Sequence, residues 1–339
     1  MERIGLHIQK RHLVAGALSL GLIALLAASP HLLGDQVHKG LDGIGDASAT
    51  WLWIAASAFI LSLVCSGLAW RAALRSCGAD VGRSDAAARY GVGCLVNSLA
   101  PARLGTAVRL ALYSHTLRGE GRLWTVGGIA TAIGAAHMFW LGILVAIAAS
   151  AGVVPAWPLA IIISALVGAG IAVWFARHTA SARRFTHLLD AFRELGSSPR
   201  RAATLLAWTG LSMAVKVAAA TSLAAAFGIS HPLTVAALVI PAVELAAILP
   251  LTPGSIGVSS AAVAFALRSQ GIDGDLAIAA GIAYNAVETL ASMAFGGGAS
   301  LYLASGTSLL RRRLATVAAA AGCAGLASAF SWTVLLPLS

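Results

Sequence analysis

Three sets of residues in this chain could do chemistry, and all stand in apolar surroundings. Arg103 and Arg109 form the first. A planar guanidinium grips a phosphate with two parallel hydrogen bonds, which makes both arginines candidates for binding an anionic headgroup. The competing reading is that both side chains snorkel to a membrane surface. Glu244, Glu288 and Lys216 form the second set, the deepest ionisable groups in the sequence. A carboxyl group there either holds an exchangeable proton or is neutralised as an ion pair with Lys216 or Arg103, since unpaired charge at membrane depth is costly. Asn97, Thr252, Ser255, Ser259 and Ser260 form the third and could line a polar cavity, although hydroxyls on membrane helices more often bond backbone or pack. His137, a lone histidine in an apolar run, reads as a satisfied packing residue, and Arg89 as an interfacial charge.

These residues are held by apolar segments. Of 339 residues 58% are hydrophobic and 11% charged, with a mean hydropathy of +0.84. A soluble domain carries about 25% charged residues. The composition therefore predicts an all-α polytopic membrane protein, 1–339 forming a single integral membrane domain. The net charge of +10 is not a nucleic-acid signal, because the arginines gather in loops between apolar runs. The four cysteines have no metal-ligand spacing and read as small packing residues.

Crossing a bilayer takes about 20 apolar residues. About seven full spans are predicted, at 12–29, 51–70, 123–150, 154–176, 202–227, 276–304 and 314–337. Two further apolar segments, 85–117 and 232–270, are broken in the middle. Pro101 and Gly105 break the first; Pro253, Gly254 and Gly257 break the second. Proline removes a backbone donor and glycine permits turns. The arms beside Pro101 hold about 14 residues, or about 21 Å, against a hydrocarbon core of about 30 Å. The natural reading is a re-entrant hairpin. The arms beside Pro253, about 17 residues and about 25 Å, make a weaker case.

Loop charge sets the orientation. Lys10 and Arg11 put the N-terminus in the cytoplasm, and Asp35, Asp42 and Asp46 put the next loop outside. Arg71, Arg75 and Arg83, then Arg118 and Arg122, then the basic segment ending at Arg201, and finally Arg311–Arg313 fall inside, leaving the C-terminus outside. Arg268, beside Asp273 and Asp275, is the one contrary residue. The expected location is the cell (inner, cytoplasmic) membrane, as a multi-pass protein.

The two breaks also match one another. Pro101 and Pro253 stand 152 residues apart, as do Gly105 and Gly257, and Gly119 and Gly271. Units 51–150 and 203–302 share one plan: a span, a broken segment and a long span. They are joined by 154–201, whose Phe185, Leu188, Leu189, Phe192 and Leu195 recur at helical spacing among arginines, the pattern of a helix lying on an anionic leaflet or, alternatively, of a simple linker helix between the repeats. An odd number of crossings separates the units, so they run in opposite senses, and the two hairpins enter from opposite faces. Inverted repeats with discontinuous helices are a transporter architecture. Chance matching of a few prolines and glycines is the alternative.

At the breaks the chain resembles the flippase-like transmembrane family related to the membrane half of lysylphosphatidylglycerol synthase. The residues that carry the resemblance are Asn97-Ser98-Leu99-Ala100-Pro101-Ala102-Arg103-Leu104-Gly105 with Arg109, and Leu249-Pro250-Leu251-Thr252-Pro253-Gly254-Ser255-Ile256-Gly257-Val258, followed by Tyr284. It covers roughly 12–304. The resemblance implies movement of a phospholipid or lipid-linked headgroup between leaflets. Bifunctional members of that family also carry a soluble aminoacyl-transferase domain, which is not expected within these 339 residues. The chain departs from the family pattern at Thr106, at Ser259-Ser260 and at Asn285, where members commonly carry acidic, Arg-Glu and arginine residues. These changes bear on substrate identity.

No nucleophile elbow, zinc-protease helix or phosphate loop is present, so neither enzyme chemistry nor ATP hydrolysis is expected, and no cofactor or metal is called for. The expected function is translocation of an anionic amphiphile bound by Arg103 and Arg109 from the cytoplasmic side, with Thr252, Ser255 and Ser260 lining the opposite route. The energy source is left open, with Glu288 a candidate proton site. The alternative is a non-transporting scaffold or a subunit of a lipid-modifying or glycosyl-transfer enzyme. Expected partners are lipids with anionic headgroups, and a second copy or partner enzyme.

Overall fold

The computed structural model describes residues 47–99, 104–118, 121–150, 194–247 and 257–305, with isolated positions between 152 and 168. These residues form α1 (Ala49–Ser76), α2 (Arg83–Leu99), α3 (Leu104–Ser114), α4 (Arg122–Ser150), α5 (Pro199–Ala226), α6 (Pro232–Ala246), α7 (Val258–Ser269) and α8 (Gly274–Ala304). No strand occurs among them. The helices α1, α4, α5 and α8 are long and apolar enough to cross a membrane. They coincide with four of the predicted spans, running a few residues further at most ends. The predicted spans 12–29 and 314–337, and most of 154–176, lie outside the described residues.

Helices are described on either side of each predicted break. α2 is described to Leu99 and α3 from Leu104, and bonds from Arg89 to the Leu112 carbonyl and from Tyr113 to the Ala86 carbonyl lay the two side by side; α6 ends at Ala246 and α7 begins at Val258. As described, the four arms have 17, 11, 15 and 12 residues, against a span of about 20. Gly257, at φ 88°, is the N-cap of α7, a conformation that glycine adopts freely. Gly105 lies within the first turn of α3 instead, and its role is close packing: an added Cβ would sit 2.0 Å from the Gly93 carbonyl of α2. Pro101, Arg103, Thr252, Pro253, Gly254 and Ser255 lie outside the described residues.

At the centre α1 and α5 run antiparallel. Ser48 N–H donates to the Ala226 carbonyl at 2.9 Å. Ser62 and Ser212, each 14 residues further in, exchange hydroxyl-to-carbonyl bonds of 3.0 Å in both directions. Both helices have 28 residues, and a serine precedes each, Ser48 and Ser198. Exchanging α1 with α5, α2 with α6, α3 with α7 and α4 with α8 leaves the set of substantial helix pairings unchanged: α2 packs on α8 as α6 packs on α4, α3 on α4 as α7 on α8, and α1 on α2 as α5 on α6.

Small residues let these helices approach. An added Cβ on Gly296 of α8 would meet Leu95 Cβ at 2.5 Å and the Gly91 carbonyl at 2.6 Å, and one on Gly281 would meet the Ser260 carbonyl of α7 at 2.4 Å. Of the Gly296-Gly297 pair, Gly296 makes the close approach and Gly297 does not. Two apolar cores flank the serine contact. One joins the start of α1 to the ends of α4 and α5 and to α6, α7 and α8. The other joins the end of α1 to α3 and to the starts of α2, α4 and α5, with Trp70 stacked on Tyr113 at 4.7 Å. Leu61, Phe265 and Leu301 are exposed on the outer surface, as a lipid-facing surface requires.

Candidate polar site in the helix bundle

Four helices deliver one ionic cluster. Lys216, midway along α5, donates to Glu244 Oε1 of α6 at 2.7 Å. Its ammonium also lies 3.2 Å from Glu288 Oε1 of α8. His137 of α4 brings Nε2 within 3.3 Å of Glu244 Oε2. An ammonium has three donors and a carboxylate two acceptor oxygens, so Lys216 can serve both acids while Glu244 bridges Lys216 and His137. The ion-pair reading of Lys216 with Glu244 and Glu288 is thus the arrangement found. None of the four is sealed: 35% of the His137 side chain, 27% of Glu288, 20% of Lys216 and 19% of Glu244 is accessible. One turn before Glu288, Tyr284 is buried with its ring edge-on to Phe59, and its hydroxyl has no partner among the described residues.

Arg109 takes a different course. Its guanidinium carbon lies 4.0 Å above the centre of the Tyr90 ring of α2, and Nη2 reaches Cys94 Sγ at 3.6 Å. Nε is buried without an acceptor, and no carboxylate pairs with the group among the described residues. The side chain therefore points into the α2–α3 seam rather than snorkelling. A ring face and a thiol offer a guanidinium weak attraction and no full counter-charge. Gly93, facing it, makes the room: an added Cβ there would be 2.9 Å from Arg109 Nε. The Asn97 side-chain oxygen, one turn along α2 from Gly93, is also buried and without a partner among the described residues. Arg89 is not a plain interfacial charge, since Nη1 donates to the Leu112 carbonyl at 2.8 Å and ties α2 to α3. Tyr113 does the same by donating to the Ala86 carbonyl at 2.8 Å.

The sequence-predicted residues thus divide. Lys216, Glu244 and Glu288 come together. Asn97 and Arg109 come to a second polar patch across the α2–α3 seam. Ser259 is buried and Ser260 half-buried near the start of α7, where the Ser260 backbone meets α8 at Gly281. His137 is satisfied, as read, but by a carboxylate of the cluster, which sequence reasoning missed. The Tyr90 platform and the Ser62–Ser66–Ser212 hydroxyl group were missed too; Ser66 Oγ lies 2.8 Å from Ser212 Oγ.

Residues 13–296 match the family described as lysylphosphatidylglycerol synthase TM region. The chain belongs to that family. No curated protein matches it. Membership of the lysylphosphatidylglycerol synthase TM family, with the four long apolar helices, makes this a multi-pass membrane protein linked to lipid modification or transport. In this family member the departures noted above occupy distinct settings. Thr106 is exposed on α3, whereas Ser259 and Asn285 are buried in the α7–α8 region. Among the described residues no group of three or more His, Cys, Asp or Glu has the makings of a metal site.

Proposed function

We propose that this protein moves a phospholipid, or a lipid-linked anionic amphiphile, between the leaflets of the cell membrane. The observation that carries the reading is Arg109. It is a guanidinium held inside an apolar bundle with an unused Nε–H and no carboxylate partner among the described residues. Charge at such depth costs several kcal/mol unless paired. A phosphate brought alongside supplies the missing counter-charge and accepts two of its hydrogen bonds. Arg103, two turns earlier in the sequence, is assigned to the same headgroup path, entered from the cytoplasmic side. Thr252, Ser255 and Ser260 line the route from the other face.

In this reading 51–150 and 203–302 are inverted repeats with two oppositely oriented hairpins, the N-terminus cytoplasmic and the C-terminus outside. The interchangeable helix pairings support it, as do the antiparallel α1 and α5 meeting at Ser62 and Ser212. A two-fold axis in the membrane plane produces this kind of reciprocal contact. The test is headgroup movement in reconstituted vesicles. Arg103→Ala and Arg109→Ala, folded by thermal melt and gel filtration, are expected to abolish it. Movement at the wild-type rate in both variants would remove the site.

A further inference from the structure

The His137–Lys216–Glu244–Glu288 cluster carries an uneven charge. Two carboxylates face one ammonium, so with a neutral imidazole one negative charge is left over. A buried charge network is stable when it is fully paired and costly when one member is not. A single proton balances this one. The side chain equipped to take it is the imidazole, the group whose charge ordinarily changes between pH 5 and 8. His137 is also the most accessible of the four, at 35%. With Nε2–H donated to Glu244, the remaining ring nitrogen, Nδ1, has the lone pair that accepts a proton from water. No other bond is made or broken. The ring becomes an imidazolium facing Glu244, and the cluster becomes neutral.

The position of His137 in the fold gives that proton a mechanical consequence. The α2–α8 and α4–α6 pairings are counterparts under the helix exchange described above. The first is locked by backbone approach: an added Cβ on Gly91 would sit 2.7 Å from Ala299 Cβ, and one on Gly296 would sit 2.6 Å from the Gly91 carbonyl. In the second, α6 brings no glycine to the seam. The polar link described between α4 and α6 is His137 to Glu244. Groups on the other packed elements do not supply the balancing charge. Tyr284 of α8 and Tyr90 and Cys94 of α2 are neutral near pH 7 in their ordinary range. Arg109 of α3 lies over Tyr90 in the α2–α3 seam, and among the described residues no ion pair joins it to Glu244 or Glu288. The helix α1 offers Ser62, Ser66 and Phe59 here, its Arg71 and Arg75 lying near its far end. The one charged residue of α7, Arg268, lies near that helix's C-terminal end.

We propose that the cluster is a proton-exchange site with His137 as the carrier, and that the protonated His137–Glu244 pair latches α6 to α4. Losing the proton leaves an unbalanced negative charge that draws in water and loosens α6. Lipid movement is thereby coupled to a proton gradient. This coupling rests on the translocation reading, whereas proton uptake and the latch do not.

The latch is tested on the full-length protein in lipid nanodiscs, with spin labels at Ile147 and Leu233. Both are exposed, at 59% and 63%, on the α4 and α6 ends that share one apolar core. The expected result is a short, narrow distance distribution at pH 5 that lengthens or broadens at pH 8. His137→Gln abolishes that response, and so does Glu288→Gln, which removes the surplus charge; either variant serves if the other does not fold. A pH-independent distance in the wild type overturns the latch, as does a response undiminished in the variants. The second arm uses vesicles containing fluorescent phosphatidylglycerol with and without an imposed pH gradient. A several-fold change in rate that His137→Gln removes is expected. Translocation indifferent to the gradient overturns coupling while leaving the transport reading intact. A pH-responsive distance in vesicles that move no lipid overturns the coupling and the transport reading, and leaves the proton latch standing.

Discussion

Ser62 and Ser212 each donate a hydroxyl to the other's backbone carbonyl, at 3.0 Å in both directions, and their two oxygens stand 3.1 Å apart. They occupy matching positions in two antiparallel helices of equal length. The pair closes the centre of the bundle with polar atoms, since the carbonyls gain second donors and the hydroxyls find acceptors away from water. A typical intramolecular hydrogen bond contributes about 1 kcal/mol net. Ser62→Ala and Ser212→Ala are each expected to lower stability by about 1–2 kcal/mol, and the double variant by less than the sum, because the two bonds share partners. A detergent-based unfolding titration with all four members of the cycle checks this.

Opposed orientation of the two units makes a separate prediction. Asp80 follows α1 and Ser230 follows α5, both exposed. Cysteines placed there are expected to react with a membrane-impermeant maleimide from opposite sides of sealed vesicles, position 80 from the cytoplasmic side. The native Cys77 beside the first gives little background, because burial, reinforced by the Glu194 carboxylate and opposed by Arg201, pushes its thiol up to about 11. It stays protonated, and so weakly nucleophilic, at the labelling pH. Labelling of both positions from one side would contradict the inverted arrangement.

Glycine substitutions separate packed from open positions. Gly105→Ala drives a methyl to 2.0 Å from the Gly93 carbonyl, and Gly296→Ala drives one to 2.5 Å from Leu95 Cβ. Overpacking of this kind costs about 1–3 kcal/mol. Gly134→Ala and Gly297→Ala meet nothing within 4 Å and are expected to be neutral or slightly stabilising, since alanine favours the helix. Thermal melts of the four variants in one detergent order them.

Much of this fold was legible in the chain. Apolar run length located α1, α4, α5 and α8, because a membrane helix must satisfy its backbone internally over a fixed thickness. Proline and glycine marked the two segments that α2 and α3, and α6 and α7, flank. Lys216 and Glu244 could be proposed as partners because buried opposite charges need one another. His137 could not be matched to Glu244, because a single apolar-flanked histidine carries no periodicity that names a residue on another helix. Ser62 and Ser212 were equally silent, since serine is common in membrane helices and their meaning lies in the α1–α5 crossing. The direction of Arg109 was hidden for a different reason: it depends on space that Gly93 leaves and on the Tyr90 face, neither of which a one-dimensional pattern weighs.

Removing Lys216 isolates two carboxylates. Breaking a buried pair by deleting one partner costs about 3–5 kcal/mol, whereas removing both partners costs much less. Lys216→Met is therefore expected to be severely destabilised, and Lys216→Met with Glu244→Gln to recover part of the loss, since Glu288 stays unpaired. Proteins differing only at these two positions, compared by denaturant midpoint, decide the point. Equal stability of the single and double variants would mean that the charges are not coupled.

Lipid translocation is measured on the unmodified protein. Purified protein is reconstituted into vesicles carrying a fluorescent anionic phospholipid in both leaflets, and an impermeant reductant is added outside. Bleaching well beyond the outer-leaflet half is expected, increasing with protein per vesicle and absent when Arg103 and Arg109 are both alanine. Bleaching that stops at the outer-leaflet half at every protein density, as in protein-free vesicles, with or without a pH gradient, would contradict it.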